Sequence, residues 1–316
     1  MIKNYQVNQE GIQDVGDDEG NLVVVNESKS ERENSEKSFI ENYGLPDDLF
    51  DLTEIEAVAP RVERIKNDQL GETYILVLSN VKNPGSEDST VDERLEAINI
   101  VIGEEKLFLF AYDDSEIFNH LIDEHADEVT SLESIVLFIA KDNYLNFINE
   151  LKKQKQSIDI LNDRAEDAST DKNLLKQITN TERSLVLLER TVNNQSRALN
   201  NLLDEKGFSD KVNNDDLIYD LQWMDRTSKE LAIVTRDLLD TLSGHFTTLM
   251  SRNLNSTMKF LNSSSLVLSA ATLIFSLWGI NTGVPWESEL SGFWFVVIIG
   301  SIVSFAAALY LRKKEY

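Results

Sequence analysis

Residues 261–280 read LNSSSLVLSAATLIFSLWGI, and residues 291–311 read SGFWFVVIIGSIVSFAAALYL. Neither stretch contains a charged residue. At about 1.5 Å of rise per residue, each is long enough as a helix to cross a hydrocarbon core of about 30 Å. A single stretch would suit a buried core helix. Two neighbouring ones of spanning length point instead to a membrane hairpin with a short connection.

Working outward, the charge divides the chain sharply. The 316 residues hold 30 Lys plus Arg and 55 Asp plus Glu, a net charge of −25, and no Cys. Residues 251–316 contain five basic and three acidic residues, so the first 250 carry −27. Such acidity repels nucleic acid, which is bound through clustered Lys and Arg. The lack of thiols excludes disulfides, thiolate metal sites and cysteine nucleophiles. Residues 1–20 lack an apolar run, so no signal peptide is expected.

Basic residues also orient the hairpin. Arg252 and Lys259 precede the first span, and Arg312, Lys313 and Lys314 follow the second. The connection between them carries Glu287 and Glu289 and no basic residue. The excess of basic residues on the cytoplasmic side of membrane proteins puts both termini inside and the loop outside. Trp278, Trp286 and Trp294 gather around that loop as an interfacial belt would.

The expected fold class is an α+β membrane protein: an N-terminal α/β cytoplasmic domain, a long helical stalk and two transmembrane helices. Residues 1–130 form the sheet domain, with 1–20 expected to be flexible. Strands are expected at 21–25, 61–66, 73–81, 97–102 and 107–111. The nearly continuous apolar runs at 74–78 and 107–110 indicate a sheet covered on both faces. Residues 27–37 read as a loop or exposed helix, 49–57 as a short helix and 82–93 as a loop. Between Pro84 and Pro285 there is no proline, and between Gly103 and Gly244 the only glycine is Gly207. This predicts helices over 131–165 and 172–204, a turn at 205–207, and a third helix from Asp215 to about Ile280. The stalk region is 131–257, the first membrane helix 258–281, the outer loop 282–290, the second membrane helix 291–311 and the basic tail 312–316.

The first span is uncharged but not uniformly apolar. Asn255, Met258, Asn262, Ser265, Ser269, Thr272, Ser276 and Gly279 recur at alternating intervals of three and four, so they share one helix face. Small hydroxylated residues on one face suit helix packing. They equally suit a pore, in which several copies turn this face to a common axis. An amide facing lipid is costly, which favours the pore for Asn255 and Asn262. Neutral oxygens suit a hydrated hard cation, which gives up its water reluctantly. Beyond Gly279, Ile280 and Asn281 stand at the outer mouth. Glu287 and Glu289, multiplied by the subunits, would concentrate cations there.

These residues resemble the CorA family of divalent-cation transporters. The likeness is most specific at Asn255-Ser-Thr-Met-Lys-Phe-Leu261 and at Gly279-Ile280-Asn281, the counterpart of the family's Gly-Met-Asn signature. The resemblance implies a funnel-shaped homopentamer whose first membrane helices line the pore. On this reading Asn255, Met258, Leu261 or Asn262, Ser265, Ser269, Thr272 and Ser276 face the ion, and Gly279, Ile280 and Asn281 form the entry filter. It also implies a regulatory metal between cytoplasmic domains, with Asp220 at one ligand position and Asp51 or Asp48 near another. The ions implied are Mg2+ first, with Co2+ and Ni2+. Ile280 in place of Met, followed by Thr282-Gly283-Val284-Pro285, is more like the zinc-associated ZntB branch and leaves Zn2+, with or without proton coupling, as the alternative ion.

His120, His125 and His245 show no zinc-ligand spacing. The first two lie near Asp113, Asp114, Asp123 and Glu124 and read as a solvated acidic face rather than a surface metal site. There is no Gly-rich phosphate loop, so no nucleotide-driven pump, enzyme or organic cofactor is expected. The reading from another class is a non-conducting membrane scaffold or sensor. It would tolerate Asn281→Ala and Ser269→Leu, whereas a pore would not.

Overall fold

The computed structural model describes residues 2–16, 18–45, 60–83, 90–112, 115–167, 172–212, 214–279 and 290–313. The chain divides into two compact units, residues 1–164 with 172–242, and residues 165–171 with 243–316.

The first unit is built on a seven-stranded sheet in the order β2-β1-β3-β7-β6-β5-β4. Its strands are β1 (Ile2–Asn8), β2 (Gly11–Gly16), β3 (Leu22–Glu27), β4 (Arg61–Asn67), β5 (Gly71–Val81), β6 (Leu95–Ile102) and β7 (Leu107–Tyr112). Only β3 and β7 pair in parallel, with Val24 opposite Leu109. All the other pairs are antiparallel, as at Leu76–Ile100 and Leu78–Ile98 between β5 and β6. The central strands are buried along nearly their whole length, as their unbroken apolar runs require. One face packs Ile75, Val101, Phe108 and Phe110 against Phe39 and Ile40 of helix α1 (Lys29–Tyr43). The Phe39 ring lies 4.7 Å from Phe108 and 5.0 Å from Phe110, tilted or edge-on, which aromatic quadrupoles favour.

The N-terminus corrects the expectation of a flexible segment. Residues 2–16 form a β-hairpin in which Tyr5 and Val7 are buried and the intervening side chains are not. Gly11 closes it with φ 113°, and a Cβ there would fall 2.4 Å from the Ala126 carbonyl oxygen. Polar outward residues conceal this strand, because only two side chains reach the core. Of residues 27–37, Glu27 ends β3, Ser28 is the N-cap and 29–37 belong to α1. A four-residue helix, α2 (Val91–Arg94), replaces part of the expected loop and begins with a capping box between Thr90 and Glu93. Residues 84–89 and the expected helix at 49–57 lie outside the described residues.

Four further helices complete the unit before the last long one. They are α3 (Ile117–His125), α4 (Leu132–Asp167), α5 (Lys172–Asp204) and α6 (Lys206–Val212). The last takes the place of the expected turn, because Phe208 and Val212, one helical turn apart, are both buried. The Phe208 ring meets Tyr74 of β5 at 5.9 Å, on the sheet face opposite α1.

Two buried polar contacts fix the helices. Arg94 grips Glu150 of α4 with both guanidinium branches, at 2.9 and 2.7 Å. Their side chains are only 9% and 3% exposed. Burial alone would push the Glu150 carboxyl up; hydrogen bonds from Arg94 and Gln154 outweigh it and hold its pKa below the ordinary value. The Tyr144 hydroxyl donates to Asp225 at 2.9 Å, and Ser196 donates to the other Asp225 oxygen at 3.0 Å. Burial, with the Asp225 carboxylate beside it, raises the Tyr144 phenol far above its usual range.

The second unit holds the C-terminal part of α7 (Asp215–Trp278) and α8 (Leu290–Lys313). Both helices are long and apolar enough to cross a membrane by length and composition.

Candidate functional site

Helix α7 starts where Asn214 predicts it. The Asn214 Oδ1 accepts the Leu217 N–H at 3.0 Å, which satisfies one of the helix's orphan donors. No stop follows, since Gly244 has open space where a Cβ would go and costs only about 1 kcal/mol relative to Ala. The last turn closes at Gly279, whose N–H reaches the Phe275 carbonyl at 3.1 Å.

The polar line expected from the sequence lies on this helix. Asn255, Met258, Asn262, Ser265, Ser269, Thr272 and Ser276 are all exposed in the single chain, and so is Leu261. The Thr272 hydroxyl donates to the Leu268 carbonyl at 2.9 Å, so its oxygen remains free to accept.

A second face of α7 is partly buried. Ser263, Ser264, Val267, Ala270, Ala271, Ile274 and Trp278 also recur at helical spacing. At about 100° per residue this set is centred nearly opposite the polar line. It is the side that meets α8, because the Trp278 ring lies 6.1 Å from Phe295. On α8 the buried or half-buried positions include Gly292, Val296, Gly300, Ser304, Ala307 and Leu311, spaced by three or four. Small residues thus line both sides of the hairpin contact, as close packing of membrane helices requires. Within the chain, hairpin packing uses one face of α7 and leaves the polar line uncovered.

The remaining expected site residues divide into two groups. Ile280, Asn281, Glu287, Glu289, Asp48 and Asp51 lie outside the described residues. Asp220 is on an exposed side of α7, where its carboxylate accepts from Lys141 of α4 at 3.1 Å. His120 is exposed, as the solvated face read from the sequence requires, whereas His125 is largely covered. Asp123 and Glu124 are exposed, but the two imidazoles turn to Asp142 of α4, which sequence spacing did not bring into view. Asp113 and Asp114 lie outside the described residues.

The family model described as CorA-like Mg2+ transporter protein matches residues 27–313. The chain belongs to the CorA family. That family comprises transporters of divalent cations, not enzymes. The complete CorA magnesium transporter from Methanocaldococcus jannaschii has the same fold, with a TM-score of 0.71 over 98% of this chain and 96% of that one at 14% identity. The full-length CmaX protein gives a TM-score of 0.70 over 99% and 97% at 18% identity. The ZntB cytoplasmic domain from Vibrio parahaemolyticus RIMD 2210633 gives 0.55 over 81% and 98% at 13% identity. These likenesses are of fold. No curated protein matches the chain in sequence. The CorA fold accounts for the seven-stranded sheet, the 64-residue helix and the two apolar helices together.

Proposed function

We propose that this CorA-family chain assembles as a homopentamer in the plasma membrane, with both termini cytoplasmic, and conducts divalent cations inward. The observation that carries the reading is the opposition of the two faces of α7. Packing against α8 accounts for the Ser263, Ala270 and Ala271 side and leaves the Asn262, Ser269, Thr272 and Ser276 line for another use. Five such lines around an axis make a corridor of neutral oxygens that can hold a hydrated ion without trapping it.

On this reading Asn255, Met258, Leu261 or Asn262, Ser265, Ser269, Thr272 and Ser276 border the path. Gly279, Ile280 and Asn281 form the filter, and Glu287 and Glu289 gather cations outside. The favoured ion is Mg2+, with Co2+ and Ni2+ as further cargo. Conduction needs no nucleotide, since a membrane potential supplies about 4.6 kcal/mol per 100 mV for a doubly charged ion. Asp220, with Asp51 or Asp48 of a neighbouring subunit, would bind regulatory metal. Between subunits these carboxylates would repel until a cation bridges them; within the chain Asp220 also accepts from Lys141. The sequence Gly279-Ile280-Asn281 followed by Thr282-Gly283 favours a second reading, zinc transport of the ZntB kind.

Flux into liposomes holding the purified protein, compared for Mg2+, Zn2+, Co2+ and Ni2+, tests this function. Saturable entry of at least one ion, lost or altered in Asn281→Ala, is expected. Intact oligomers that pass none of them would leave the membrane-scaffold reading in its place.

A further inference from the structure

His120 and His125 are five residues apart, which on a regular helix sets their side chains about 140° from one another. The docking of α3 onto α4 nevertheless brings both rings to one carboxylate. The His120 Nδ1 lies 2.9 Å from Asp142 Oδ2, and the His125 Nε2 lies 3.4 Å from Asp142 Oδ1. One nitrogen from each ring and one Asp142 oxygen all fall within 4.8 Å of each other.

Two features of this cluster are not explained by hydrogen bonding. Asp142 is only 5% exposed, yet among the described residues its Oδ1 has no hydrogen-bond partner. The His125 Nδ1 is likewise buried without one, although Glu128 Oε2 stands 3.7 Å away. Buried polar atoms of this kind are costly unless satisfied. The His125 ring is held in place by stacking on Phe138, with centroids 4.6 Å apart.

We propose that His120, His125 and Asp142 bind a divalent cation of the zinc type within each protomer, tying α3 to α4. Two imidazoles and a carboxylate are a ligand set for Zn2+ and its neighbours, whereas Mg2+ takes oxygen ligands and keeps its water. Tetrahedral bonds to zinc place ligand atoms roughly 3.3 Å apart; the two rings approach different Asp142 oxygens, at 2.9 and 3.4 Å, and one donor atom from each of the three residues lies within 4.8 Å of the others, so side-chain rotation brings the three to that spacing. The metal would satisfy the Asp142 oxygen directly. The His125 Nδ1–H would then turn to Glu128, the outer-shell carboxylate that orients many metal-bound imidazoles. Access comes from a cavity of about 670 Å³ bordered by His120, Asp142, Glu93 and Glu116, which also leaves room for water as a fourth ligand. The site uses neither the polar line of α7 nor Asp220, and its binding does not depend on whether the chain conducts.

The test is calorimetric titration of the full-length protein in detergent with Zn2+, in millimolar Mg2+ that occupies oxygen-only sites. One Zn2+ per chain should bind. His120→Gln and His125→Gln should each weaken it at least tenfold, and the double variant should abolish it. His245→Gln, which alters the remaining histidine on exposed α7, should bind as wild type does. A double variant that still binds one Zn2+ with unchanged affinity overturns the site, as does displacement of Zn2+ by Mg2+. If the double variant does not fold, X-ray absorption of the zinc-loaded wild type decides: two imidazole ligands are expected, and their absence overturns the proposal.

Discussion

Gly300 of α8 lies against the ring of Phe275 on α7, so closely that a Cβ at position 300 would fall 2.7 Å from the Phe275 Cε1. The backbone of one membrane helix thus meets an aromatic side chain of the other directly.

Gly300→Leu should therefore destabilise the hairpin by about 1–3 kcal/mol, the usual cost of overpacking. Thermal unfolding of the detergent-solubilised protein, followed by tryptophan fluorescence, measures it. Ile302→Leu, on the exposed side of α8, is the control and should unfold as wild type does.

The buried pair of Arg94 and Glu150 predicts an acid limb in stability. Because hydrogen bonds lower the folded-state pKa of Glu150, its stabilisation is complete above the unfolded carboxyl range, about 4.3, and is lost as pH falls through the folded value. Urea unfolding from pH 7 to pH 3 should show this loss in wild type and a flatter limb in Glu150→Gln. Arg94→Ala, which leaves the carboxylate buried without its partner, should cost about 3–5 kcal/mol at pH 7. An unchanged urea midpoint in Arg94→Ala would remove the pair from the account.

At the start of α7, Asn214→Ala should cost about 1 kcal/mol and Asn214→Asp very little, because aspartate caps as well as asparagine does. Equal unfolding midpoints for the two variants would show that the cap contributes nothing.

Much of this architecture is legible in the sequence because its signals are local. Apolar runs such as Tyr74 to Leu78 mark buried strands, and the near absence of Pro and Gly between residues 103 and 244 marks the long helices. The hairpin at 2–16 escapes notice because Tyr5 and Val7 alone point inward, too few to form a pattern. The helix α6 escapes because Gly207 looks like a turn until Phe208 is seen to reach Tyr74. The polar line on α7 is plain from spacing. What spacing does not supply is the identity of the covered face, which depends on α8. The same limit applies to His120 and His125: their shared partner Asp142 sits on another helix, and helix docking alone unites them.

The chain has no cysteine, so single cysteines can be placed along α7 and tested for block of ion entry by a charged thiol reagent. Ser269→Cys, Thr272→Cys and Ser276→Cys should be blocked in liposomes, whereas Ala270→Cys and Ile274→Cys, on the face toward α8, should not. Block that follows the 270 and 274 positions instead, or that ignores the helical spacing, would contradict the claim that the polar line of α7 borders the ion path.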